Sequence, residues 1–130
     1  MSNKIDKILA EISAGELFDK ITILEIKKKK ISKKSNLSQI NKEYLVLTKS
    51  IKKNVKISKK FKKLWIDLKK TNLKIWEMEN HKRLAQKELE KLTRIARDVY
   101  KYNDMRAEIK LKINKITGSN LREIKQYTKY

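Results

Sequence analysis

The sequence predicts an all-α protein, an antiparallel bundle of about four helices in which the last two are long. Three observations predict it. The 130 residues contain no proline and only two glycines, Gly15 and Gly118, so the chain lacks the turn residues that a sandwich or barrel needs at every strand reversal. Apolar residues recur every three or four positions through most of the chain, the period of a helix with one wet face. The 38% charged and 39% hydrophobic fractions suit long amphipathic helices better than disorder. The length suits one domain over 1–130, with residues 1–12 as an N-terminal arm and 119–130 as a C-terminal tail.

Each element follows from local chemistry. In the arm, Ile5, Ile8, Leu9 and Ile12 pack as a short helix or an extended segment. Ser13 followed by Glu16 is a capping box, which starts a helix at Ala14 and carries it to about Lys34. Leu17, Ile21, Leu24 and Ile31 lie on one face of that helix and Ile23 and Ile26 on another, an apolar surface too wide for a helix with a single covered stripe. Ser35-Asn36 breaks the pattern, and Asn36 with Gln39 caps a second helix over 37–53 that carries Leu37, Ile40, Tyr44, Leu47 and Ile51. Residues 54–58 form a loop, and Ser58 caps the next helix. Phe61, Leu64, Trp65, Leu68, Ile75 and Trp76 mark the third helix; Leu92, Ile95, Ala96, Val99, Ile109, Ile113 and Ile116 mark the fourth. An unbroken rod over 59–117 would be roughly 90 Å long at 1.5 Å per residue, so the chain reverses near Gln86–Glu88. Gly118-Ser119 closes the last helix with a left-handed cap.

Composition narrows the function. There is no cysteine, which removes disulfides and thiolate metal sites. His81 is the only histidine and has no second ligand at metal spacing, so it reads as an exposed helical residue and no metal or cofactor is expected. No nucleophile triad and no phosphate-cradling glycine loop is present. No apolar run approaches a bilayer span and the N-terminus lacks a signal-peptide core, so a cytoplasmic setting without membrane contact is expected. The net charge of +20 invites a nucleic-acid partner. The cations are, however, thirty lysines against five arginines, whereas bidentate phosphate or guanine recognition favours arginine. A solvated surface under compositional bias accounts for lysines scattered through most segments, and the phosphate-binding role is the less favoured alternative.

Polar side chains interrupt the buried faces of three helices. Asp19, Lys20 and Lys27 lie among the isoleucines of the first; Asn72, Glu79, Arg83 and Gln86 continue the row begun by Phe61, Leu68 and Ile75 in the third. Asn103, Arg106 and Lys110 follow Val99 in the fourth. Buried charges need partners. Either Asp19 or Glu79 pairs with Arg106 or Arg83 and fixes helix register, or the cations surround an anionic ligand that Asn103 orients. If the tail folds back near the first helix, Lys125 and Tyr127 join this cluster.

The chain resembles a family of short uncharacterised bacterial and phage helical proteins. The shared blocks are Ser-x-Gly-Glu-Leu-x-Asp-Lys-x-x-Ile-Leu-x-Ile-Lys, here Ser13 to Lys27, and a Trp-x-x-Glu-like segment at Trp76 to Glu79. They continue with Ala-Arg-x-Val-Tyr-x-x-Asn-Asp-x-Arg-Ala from Ala96 and a closing Gly118-Ser119 that leads to Glu123-x-Lys125-x-Tyr127. This chain is a few residues shorter between Trp76 and Tyr100. The resemblance implies a site at the matched polar positions, among them Glu16, Asp19, Lys20, Asn103, Arg106, Lys125 and Tyr127, and by association a role near surface-polysaccharide synthesis. It names no reaction. The expected function is non-catalytic binding of an anionic ligand or acidic protein segment through the inter-helix polar cluster. A small enzyme of a glycan or sugar-nucleotide pathway using the same cluster is the alternative, and a homo-oligomer is open because the apolar faces are wide.

Overall fold

The computed structural model describes residues 4–124, and within them the chain forms α1 Ala14–Lys30, α2 Lys34–Asn54, α3 Lys59–Leu84 and α4 Leu89–Thr117. No strand occurs among the described residues. The last two helices are long, 26 and 29 residues, as expected. The reversal between them falls at residues 85–88, where Ala85 is buried and its N–H closes on the His81 carbonyl at 3.0 Å. No left-handed residue is needed there; Gly118, φ 68°, is the single positive-φ position among the described residues. Its left-handed cap lets the Ser119 N–H return to the Asn114 carbonyl at 2.9 Å, which satisfies a terminal carbonyl of α4.

α1 is the central element: it packs against α2, α3 and α4, while α3 and α4 lie along each other and α2 rests on α1. The core contains Leu17, Phe18 and Ile21 of α1, Ile51 of α2, Phe61 and Leu68 of α3, and Ile109 and Ile113 of α4. Phe18 meets Phe61 edge-on, with ring centroids 4.0 Å apart, and Trp65 at 5.6 Å, the arrangement that aromatic quadrupoles favour. Because α1 has 17 residues and the α3–α4 hairpin is longer, α1 covers only the half of that hairpin nearest the α3 start. Leu84 and Leu89, at the far tip, are exposed.

The first turn of α1 is held on every side. Ser13 Oγ accepts from the Glu16 N–H at 3.1 Å, as the capping box predicts. The Ala14 N–H donates to Ser119 Oγ at 3.0 Å and the Gly15 N–H to Asn114 Oδ1 at 2.6 Å. A Cβ on Gly15 would collide with the Lys110 carbonyl oxygen, so glycine is what allows this close approach of α1 to α4.

Four local expectations are corrected. α1 ends at Lys30, not Lys34: Ile31 turns extended (φ −95°, ψ 131°) as the C-cap, and the last-turn lysines Lys27–Lys30 already complement the negative helix end. α2 then begins at Lys34, three residues early, with no side-chain cap. The Asn36–Gln39 cap does not form because the extended link 31–33 has already reversed the chain. In the arm, residues 4–12 are not helical, and Ile5, Ile8 and Leu9 are 74–89% exposed. Ala96, expected at the centre of a buried face, is exposed, since it lies on the part of the hairpin that α1 does not reach. No described helix is long and apolar enough to cross a membrane.

Candidate functional site

Asp19, fully enclosed in the second turn of α1, is the anchor of the polar interior. Its Oδ1 accepts from Arg106 Nε at 2.8 Å and from Asn72 Nδ2 at 2.9 Å, and its Oδ2 accepts from Arg106 Nη2. Asn72 also donates to Thr22 Oγ1 at 2.8 Å, and the Thr22 hydroxyl donates to the Asp19 carbonyl at 2.9 Å. Three helices are thereby locked in one register: Asp19 and Thr22 from α1, Asn72 from α3 and Arg106 from α4. Arg106 is held more firmly protonated than an ordinary arginine, first by its hydrogen bond to Asp19 and against the opposing pull of burial. Among the described residues no buried side-chain polar atom lacks a partner, as low-dielectric interiors require.

One turn further along α4, Lys110 makes a separate cluster. Its Nζ donates to Glu16 Oε2 at 2.7 Å and lies 3.0 Å from Glu123 Oε2, with the lysine side chain 8% exposed. Burial alone would lower its pKa, but the hydrogen bonds to Glu16 and Glu123 outweigh it and the value is raised. Glu123 thus ties the segment after α4 to the α1 start. Across both clusters three carboxylates, Asp19, Glu16 and Glu123, face two cations, Arg106 and Lys110, so each of these cations has a carboxylate partner without a ligand.

A groove of about 300 Å³ opens where α1 runs out along the hairpin. Ile23 and Ile26 of α1 form one wall, Ile75, Trp76, Glu79, Asn80 and Arg83 of α3 form the other, and Asn72 and Arg106 stand at its inner end. The α3 residues recur on successive turns of one face, which is why a single helix supplies most of the lining. Its charge is uneven. Glu79 is already paired with Lys82 at 3.5 Å, whereas exposed Arg83 has no carboxylate within salt-bridge reach among the described residues. Two larger depressions, about 390 Å³ around His81, Arg94 and Asp98 and about 430 Å³ along Lys70, Lys74 and Tyr102, do not reach the Asp19–Arg106 pair. Among the described residues no group of three His, Asp or Glu side chains is placed to hold a metal ion.

The structure divides the residues singled out from the sequence. Asp19 and Arg106 are in contact, and Glu79, Arg83 and Arg106 share the groove. Lys110 belongs instead to the Glu16–Glu123 cluster. Lys20 is exposed: one position past Asp19 turns it about 100° away from the core, a consequence of 3.6 residues per turn. Asn103 is half-buried and does not line the groove. Lys125 and Tyr127 lie outside the described residues. The polar interior also uses Thr22 and Asn114 and the groove uses Trp76, none of which the sequence marks as a site residue, whereas Glu16 and the inward-facing Asn72 fall where the sequence places polar groups. Asn72 lies four residues after Leu68 on the same face, and it is buried there as that spacing predicts.

A family of unknown function, DUF6165, matches residues 8–130. No curated protein and no solved structure matches the chain.

Proposed function

We propose, for a chain that belongs to the DUF6165 family of unknown function, that it is a binding protein whose groove between α1 and the α3–α4 hairpin receives a small anionic ligand with a flat or apolar part. The observation that carries this reading is Arg106. Asp19 engages its Nε and Nη2, orients the guanidinium rigidly, and leaves the other donors of its five-donor fork for a ligand. Such preorganisation reduces the ordering cost of binding. Arg83, without a partner among the described residues, supplies the second cation. Trp76 with Ile23 and Ile75 offers the apolar surface, and Asn80 and Glu79 offer hydrogen bonds to hydroxyl or amide groups. A volume of about 300 Å³ suits a ligand at the small end of the usual range. A bacterial or phage source and a cytoplasmic setting are part of the same proposal.

Thermal unfolding against a panel of anions tests it, with inorganic phosphate, sugar phosphates, nucleotide-linked sugars and short carboxylates as probes. A ligand that binds the native state alone raises Tm in proportion to its saturation. At least one probe is expected to raise Tm in the wild type and to lose that effect in Arg83→Ala at unchanged helicity. A panel with no effect, or a shift that survives in Arg83→Ala, contradicts the reading.

A further inference from the structure

The chain's positive charge is not spread evenly. Residues 26–66 hold fifteen lysines and a single acid, Glu43, so a net +14 of the chain's +20 falls on this third of the sequence. Residues 1–25 hold three lysines against five acids. A compositional drift toward lysine that acted alone would not sort the charges in this way. None of the fifteen lysines has a carboxylate within salt-bridge reach among the described residues. Four of them, Lys59, Lys60, Lys62 and Lys63, crowd the start of α3, where no acid stands in the first turn. That is the positive end of the helix dipole, so the arrangement raises the local potential.

The fold lays this segment out as a line. α2 rests on α1, which leaves its opposite face to solvent. At 100° per residue Lys42, Lys49 and Lys53 fall within about 40° of one another on that outer face. One lysine group stands at the α2 start, Lys27–Lys30 with Lys33 and Lys34, and a second at its end, Lys52 and Lys53 continuing to Lys63. The 21 residues of α2 separate them by roughly 30 Å at 1.5 Å per residue, close to the ~34 Å of one duplex turn.

We infer that the outer face of α2 with its two flanking lysine groups is a binding surface for double-stranded nucleic acid, which it would hold by the phosphate backbone without reading sequence. Single-strand binding needs exposed aromatic platforms, and this segment keeps its aromatics occupied. Phe61 is fully buried, Trp65 donates to Glu25 Oε1 at 2.9 Å, and Lys28 covers the Tyr44 ring at 3.6 Å. A bilayer would require an apolar strip, whereas the outermost line of α2 is lysine, with Leu45 and Val46 to its sides.

Fluorescence anisotropy with a labelled duplex of 25 base pairs, titrated across salt, tests the inference. The wild type is expected to give a log–log salt slope of about −4 or steeper, equivalent to four or more phosphates. Replacing Lys52, Lys53, Lys59 and Lys60 by Gln is expected to weaken binding tenfold or more at 0.1 M salt. Replacing Lys87, Lys101, Lys112 and Lys115 by Gln removes the same charge and is expected to cost less than threefold. Equal losses from the two sets, a slope shallower than about −2, equal affinity for a single strand, or binding to phosphatidylserine vesicles without duplex binding would each overturn it. Circular dichroism of both quadruple variants verifies the fold, and the wild-type slope decides the matter independently of either.

Discussion

Asp19 and Arg106, eighty-seven residues apart in the chain, meet at two points inside the bundle, and Asn72 completes the carboxylate's shell. The pair does two things at once: it fixes α1 against α3 and α4, and it presents a rigid guanidinium at the inner end of the groove. Removing one partner of such a pair leaves the other charge desolvated, which costs about 3–5 kcal/mol. Asp19→Ala is therefore expected to lower unfolding stability by that amount in urea. Replacing both residues together, Asp19→Leu with Arg106→Met, is expected to cost much less. An Asp19→Ala loss below about 1 kcal/mol would show that the pair does not hold the helices.

Gly15 makes a second test of the same helix contact. Alanine in a helix gains up to about 1 kcal/mol over glycine, yet here its Cβ would press on the Lys110 carbonyl and Asn114 Oδ1. Overpacking of this kind costs about 1–3 kcal/mol, and the Gly15 N–H bond to Asn114 would be strained with it. Gly15→Ala is expected to lower Tm. A rise would mean that α4 yields freely.

Lys110 predicts a pH dependence. Its pKa is raised above that of an ordinary lysine, so its contribution to stability is complete below the unfolded value, about 10.4, and is lost as pH rises through the folded value. The stability difference between wild type and Lys110→Met is expected to be constant from pH 7 to 9 and to narrow above about pH 10.4. Relief of repulsion among the other lysines affects both proteins alike, so the difference isolates Lys110. A difference that widens with pH would contradict the assignment.

Much of the bundle was legible because its helix ends are written in local chemistry. Ser13 and Ser58 cap as their hydroxyls predict, and Gly118 takes the left-handed turn. The α1–α2 link was misread because its ending depends on how α2 reaches α1 and not on Ser35 or Asn36. The site was legible by face but not by height: helical periodicity indicated that Asp19 and Arg106 point inward, yet it could not tell that Lys110 would meet Glu16 instead of the groove. An aromatic on an apolar stripe is ordinarily covered, yet Trp76 is only half-buried, because it lines the groove together with Ile23 and Ile26.

The groove itself is tested most directly by the two indole N–H signals of the protein in a nitrogen–proton correlation spectrum, since Trp76 lines the groove and Trp65 is committed to Glu25. On titration with whichever probe most raises Tm, the Trp76 indole and the Arg83 side-chain signals are expected to shift progressively while the Trp65 indole stays in place. Movement of Trp65 alone, or shifts confined to the lysines of residues 26–66, would contradict the account.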